Sequence, residues 1–105
     1  MRGQRQAFIR NLANDVIRSG RVETTEVRAK AIRPVVERLV SIAKAGDLAA
    51  RRLLLKRVHN KIVVEKLCGE LGVKYKERNG GYLRITKLGK SRMRDGAPTA
   101  VIEFV

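Results

Sequence analysis

The chain has 105 residues, with 24 Lys and Arg against 10 Asp and Glu, and a formal net charge of +14 with a pI near 11.1. That length points to one domain spanning 1–105, in which folding hides roughly two-thirds of the surface the unfolded chain exposes. Hydrophobic residues at 44% exclude a disordered basic tail, and aromatics at 4% assign the core to Leu, Ile, Val and Ala.

Phe8, Ile9, Leu12, Ala13, Val16 and Ile17 recur at helical spacing, so Arg5 to Ser19 reads as an amphipathic helix closed by Gly20. Arg21 to Thr25 is short, β-branched and strand-like, and its last threonines can cap a second helix, with Glu26 in the first turn. Val27, Ala31, Val35, Leu39 and Ile42 form the next apolar stripe, interrupted by Pro34, which removes one backbone bond and predicts a kink. Asp47 caps a third helix from Leu48 to about Val58, and His59-Asn60 breaks the pattern. Ile62, Val63, Lys66, Leu67 and Leu71 carry a fourth helix that Gly72 ends.

The character then changes. Tyr82 to Leu88 alternates, with Leu83 and Ile85 on one face and Arg84 and Thr86 on the other. Asp95-Gly96 marks a turn, and Thr99 to Val105 reads as a further strand. The expected fold class is α+β: about four helices packed on a small, largely antiparallel β-sheet.

No active site assembles from these residues. One His and one Cys cannot make a zinc site of ordinary spacing, so neither a metal nor a cofactor is expected. Cys68 lies in an apolar run and reads as a buried thiol in a reducing compartment. His59, between Arg57 and Lys61, reads as a surface or phosphate-contacting residue. The carboxylates are scattered, most with a cation within four residues, and Gly80-Gly81 lacks the spacing of a nucleotide-binding loop. An enzyme and a small-molecule substrate are therefore not expected. No apolar run approaches the roughly 20 residues of a membrane span, and the start lacks the apolar centre of a signal peptide.

Charge is the dominant signal. A compact body at this charge repels itself, and a polyanion that binds it gains entropy by releasing condensed counterions. Fifteen of the cations are Arg, whose planar fork pairs with phosphate oxygens and stacks on bases. Four basic stretches lack any intervening acid: Arg2, Arg5 and Arg10; Arg28, Lys30 and Arg33; Arg51, Arg52, Lys56, Arg57 and Lys61; and Arg84, Lys87, Lys90, Arg92 and Arg94. One such run is usually a solvated face; four together point to nucleic acid. The loop from Tyr75 through Lys76, Arg78, Asn79, Gly80 and Gly81 to Tyr82 adds amide, aromatic and glycine chemistry suited to phosphates and unpaired bases. An ordinary glycine hairpin with a core tyrosine is the plainer alternative.

Several segments, taken in order, resemble the bacterial large-subunit ribosomal protein seventeen family across almost the whole chain. They are Arg10-Asn11-Leu12-Ala13, Glu23-Thr24-Thr25, Lys30-Ala31, Arg33-Pro34-Val35-Val36-Glu37, Arg51-Arg52, Tyr75 with Arg78, Gly80-Gly81-Tyr82 with Arg84, and Gly96-Ala97-Pro98. The resemblance implies a structural role on large-subunit (23S-type) rRNA, near the rim of the nascent-chain exit, in cytoplasmic ribosomes or those of an organelle of bacterial ancestry. It also implies a neighbouring ribosomal protein, number thirty-two. Carried onto this chain, it directs Arg5, Arg10, Thr24, Thr25, Arg28, Lys30, Arg78, Asn79, Tyr82 and Arg84 toward RNA. With the basic stretches and the loop, the expected RNA-binding set also includes Arg2, Arg33, Arg51, Arg52, Tyr75 and Lys76. The family pattern has a longer basic arm before the first helix; here Met1 to Gln4 stand in its place, so contacts of that arm are not carried over.

Two other classes fit less well. A DNA-binding nucleoid protein needs a recognition helix or groove-inserting arm, whereas these cations spread along the chain. A small ribonuclease needs an acid/base pair around His59.

Overall fold

Five helix ends in the chain are set by a local residue that supplies what a helix end lacks: Gly20, Thr25, Asp47, His59 and Asn60. In the computed structural model, which describes residues 2–89 and 98–105 with side chains from Ala7 onward, α1 spans Arg2–Ser19. Gly20 comes next at φ +81°, and its N–H bonds to the Val16 carbonyl at 2.8 Å. Strand β1 (Arg21–Thr25) leads directly into α2 (Glu26–Ala43), where the Thr25 hydroxyl accepts from the Arg28 N–H at 3.2 Å. Asp47 caps α3 (Leu48–Val58) by accepting from Ala50 N at 2.8 Å. His59 closes α3 in the left-handed conformation, and Asn60 opens α4 (Lys61–Lys66) by accepting from Ile62 and Val63. Strands β2 (Leu83–Lys87) and β3 (Thr99–Phe104) complete the chain.

The sheet is antiparallel, in the order β1-β3-β2. Register puts Val22, Ile102 and Ile85 in one row facing the helices, and Arg21, Glu103 and Arg84 in the neighbouring row on the opposite face. The helices and the first face enclose a core of Val16, Ile17, Ile32, Val36, Leu54, Leu67 and Ile102, among others. Fold class and helix number agree with the sequence reading.

Four local expectations are corrected. First, α1 begins at Arg2 rather than Arg5, because a first helical turn needs no apolar face.

Second, of the expected α2 stripe only Leu39 is turned fully inward. Ala29, Ile32, Val36, Leu39, Val40 and Ala43 are buried, while Val27 is 77% exposed and Val35 and Ile42 sit at the edge. The helix is apolar on two faces, and packing against the sheet selects one. It runs unbroken past Pro34, on its exposed side.

Third, Gly72 does not end the fourth helix. That helix continues through a π-helical turn, Leu67–Leu71, and a last turn, Gly72–Lys74. Gly72 is buried there because a Cβ would meet the Ala43 carbonyl oxygen at 2.7 Å. The glycine lets two helices touch.

Fourth, the core is not purely aliphatic. Tyr75 packs between Tyr82 and Phe104, with ring centroids 5.1 Å and 6.1 Å away.

The expected Asp95-Gly96 turn, together with Lys90, Arg92 and Arg94, lies outside the described residues.

Candidate nucleic-acid interface

Helix α2 lines up Arg33, Glu37, Ser41 and Lys44 at helical spacing, and the basic loop is pinned along that ridge. Glu37 accepts from Arg33 Nε at 3.5 Å and from the Gly81 N–H at 3.3 Å. Lys44 donates to the Arg78 carbonyl at 2.6 Å and to the Tyr82 hydroxyl at 3.1 Å, and lies over the Tyr82 ring. Arg78 turns back to the Gly80 carbonyl at 3.3 Å. Gly80 and Gly81 hold φ of +100° and +64°, which lets the loop double back between Asn79 and Tyr82. Lys76 and Asn79 are left exposed at its tip.

The tyrosines do not face outward. Tyr75 is 3% exposed and Tyr82 1%, and the Tyr75 hydroxyl donates to the Val105 carbonyl. Stacking on bases is therefore closed to both rings as they stand, which corrects that part of the loop reading. Hydrogen bonds from Ser41 and then Lys44 hold the Tyr82 phenol below its usual pKa, against the opposing effect of burial. Thr24 and Thr25 are also buried, and Thr25 uses its hydroxyl on the helix start.

A second grouping lies where α1, α2 and α3 meet. Arg10, Arg38 and Arg57 surround a cleft of about 430 Å³ floored by Ile9, Ala13, Val35, Leu39 and Val58, with no carboxylate in its lining. Asn14 fixes the end of α3 beside α1 by donating from Nδ2 to the Val58 carbonyl at 3.0 Å. Elsewhere, Arg28 lies over the half-exposed Phe8 ring at 5.0 Å and ties the start of α2 to α1. Arg51 and Arg52 border a groove with Leu48, Leu55 and Lys61.

Several expected residues already hold a carboxylate: Arg33 with Glu37 at 3.5 Å, Arg51 with Glu65 at 2.8 Å, and Arg84 with Glu103 at 3.1 Å. Glu103 also faces Arg21 at 3.9 Å. Such exposed pairs contribute only about 0–1 kcal/mol, so a phosphate can replace the carboxylate at little loss. Arg10, Lys30 and Arg52 carry no ion pair among the described residues, nor do Arg38, Lys56, Arg57 and Lys61. Arg2 and Arg5 occupy the first turns of α1, ahead of the described side chains.

Sequence reasoning passed over Arg21, Arg38, Lys44 and, as a site residue, Arg57. Arg38 carried a usable signal: it lies three residues after Val35, on the second apolar stripe of α2.

Among the described residues, no group of three His, Cys, Asp or Glu side chains gathers to hold a metal ion, and no helix is long and apolar enough to cross a membrane. Cys68 is buried, and burial pushes its thiol pKa up, with Arg51 opposing and Glu65 adding.

A family profile described as ribosomal protein L17 matches residues 8–105. The chain belongs to that family. Relatives named large ribosomal subunit protein bL17 agree along nearly the full length. The one from Caldanaerobacter subterraneus subsp. tengcongensis is 51% identical over 102 residues, covering 97% of this chain and 90% of its own. The relative from Thermoanaerobacter sp. strain X514 is 49% identical with the same coverage. That from Clostridium botulinum strain Hall is 47% identical, covering 97% of this chain and 89% of its own. The L17 profile spans the pinned loop, all three arginines of the cleft and the whole sheet.

Proposed function

We propose that the chain is a structural constituent of the large ribosomal subunit, folded as one domain, that binds and stabilises folded large-subunit (23S-type) rRNA through phosphate contacts and performs no catalysis of its own. The observation that carries this reading is the match, over 97% of the chain, to proteins named large ribosomal subunit protein bL17. Surface chemistry supports the phosphate part, since cations with no ion pair among the described residues lie on α1, α2, α3 and α4.

Cations on several elements of one rigid body can bridge RNA segments that are distant in sequence. Each phosphate neutralised releases about 0.9 condensed counterion on a duplex, so affinity rises steeply as salt falls. Selectivity then comes from shape: a set of fixed cations fits only a fold that presents phosphates in the matching arrangement. In the free protein these charges repel one another, and RNA at a hundredfold excess over Kd adds about 2.7 kcal/mol of stability by mass action. Exposed Leu48, Leu55 and Ile62 leave apolar surface on α3 and α4, chemistry suited to a protein neighbour such as ribosomal protein thirty-two.

Cosedimentation of the purified chain with deproteinised large-subunit and small-subunit rRNA tests the reading. Saturable binding at one copy per large-subunit rRNA, without matching retention on small-subunit rRNA, is expected. Equal retention on both, or on neither, overturns it.

A further inference from the structure

We infer that the cleft between α1, α2 and α3 is a seat for one unpaired RNA nucleotide, its base on the apolar floor and its flanking phosphates on Arg10, Arg38 and Arg57. The inference rests on the rRNA-binding reading and goes beyond it in naming a site and the form of RNA that fills it.

Three observations converge. The cleft measures about 430 Å³, within the roughly 300–1,000 Å³ of sites that enclose small organic groups. Its floor is apolar, with Ile9 and Val35 supplying its accessible part over the buried Ala13, Leu39 and Val58, and a surface cleft with such a floor gains by covering it with a flat apolar face. Its rim carries three arginines from three different helices, none ion-paired among the described residues and with no carboxylate among the lining residues. Like charges gathered around one hollow repel, so the arrangement favours a partner that brings negative charge to opposite sides of it.

A paired RNA helix satisfies the rim but leaves the floor bare, because its base faces are stacked inside. An unpaired nucleotide satisfies both. Its base presents a π-face to the floor and to the guanidinium planes, while the phosphates on either side reach arginine forks carried by different helices. An acidic side chain brings charge to one point only. The Asn14–Val58 bond holds the walls at a fixed separation, so little ordering is required on binding.

The test uses the full chain and two synthetic RNAs, a duplex with a single-nucleotide bulge and the same duplex without it. The wild type should prefer the bulged duplex by about tenfold, the scale of one base stacked on a protein surface. V35F fills the floor and should abolish that preference while leaving the salt dependence unchanged. R38Q and R57Q should weaken binding to both duplexes, each lowering the log–log salt slope by about one. Equal wild-type affinity for the two duplexes overturns the inference without recourse to any variant, as does a preference that folded V35F retains. Chemical protection of the bulged base in the wild-type complex supplies a second readout. Failure to bind large-subunit rRNA at all is a different result, and it overturns the rRNA reading itself.

Discussion

Tyr75 and Tyr82 stand at the two ends of the basic loop and meet behind it, their ring centroids 5.1 Å apart and tilted by 47°. The loop's cations are thus carried on an aromatic anchor that belongs to the core. Truncating Tyr82 to Ala should cost about 3–5 kcal/mol, the scale for losing a large buried aromatic. Tyr82→Phe removes only the hydroxyl that Lys44 and Arg78 share and should cost about 1 kcal/mol. Denaturant unfolding of the two variants checks both figures.

The same hydroxyl predicts a pH effect. Because hydrogen bonds from Ser41 and Lys44 depress the folded pKa of Tyr82, the unfolded chain binds this proton more tightly. Ionised Tyr82 therefore adds stability that is fully present above the unfolded phenol value of about 10. It is lost as pH falls through the lower folded value. In an ultraviolet titration of phenolate, the step lost in Y82F should lie below the usual phenol value of about 10; a lost step at or above that value contradicts the assignment.

Gly72 and Gly69, three residues apart, should respond oppositely to alanine. An added Cβ at Gly72 meets the Ala43 carbonyl oxygen at 2.7 Å, so G72A should destabilise by about 1–3 kcal/mol. At Gly69 nothing lies within 4 Å, and G69A should be neutral or stabilise by up to about 1 kcal/mol. Thermal unfolding of the pair decides whether close helix contact is the reason for Gly72.

His59 sits at φ 55°, where a side chain is strained and glycine is not. H59G should hold or raise stability by up to about 1 kcal/mol, and neither H59G nor H59A should alter the fate of bound RNA. RNA cleavage that disappears in H59A would restore the ribonuclease reading.

Local chemistry was legible in the chain, and assembly was not. Thr25, Asp47 and Gly20 mark helix ends through their own backbone and side-chain bonding, so each end was placed nearly to the residue. The inward face of α2 was not legible, because Val27-Ala31-Val35 and Ala29-Ile32-Val36 are equally apolar and only the sheet chooses between them. Tyr75 and Tyr82 carried the same ambiguity: aromatic rings beside cations suit both base stacking and a core anchor, and burial decides. Arg10, Arg38 and Arg57 form one cleft only after three helices pack, and nothing in their spacing along the chain brings them together.

The central claim is phosphate-driven binding to one folded RNA. The salt dependence of binding to large-subunit rRNA, with duplex DNA as competitor, tests it most directly. The account predicts a steep log–log slope, on the order of six or more released counterions, and binding that excess DNA does not displace. A shallow slope, or equal loss to DNA, would contradict it and leave a general nucleic-acid binder.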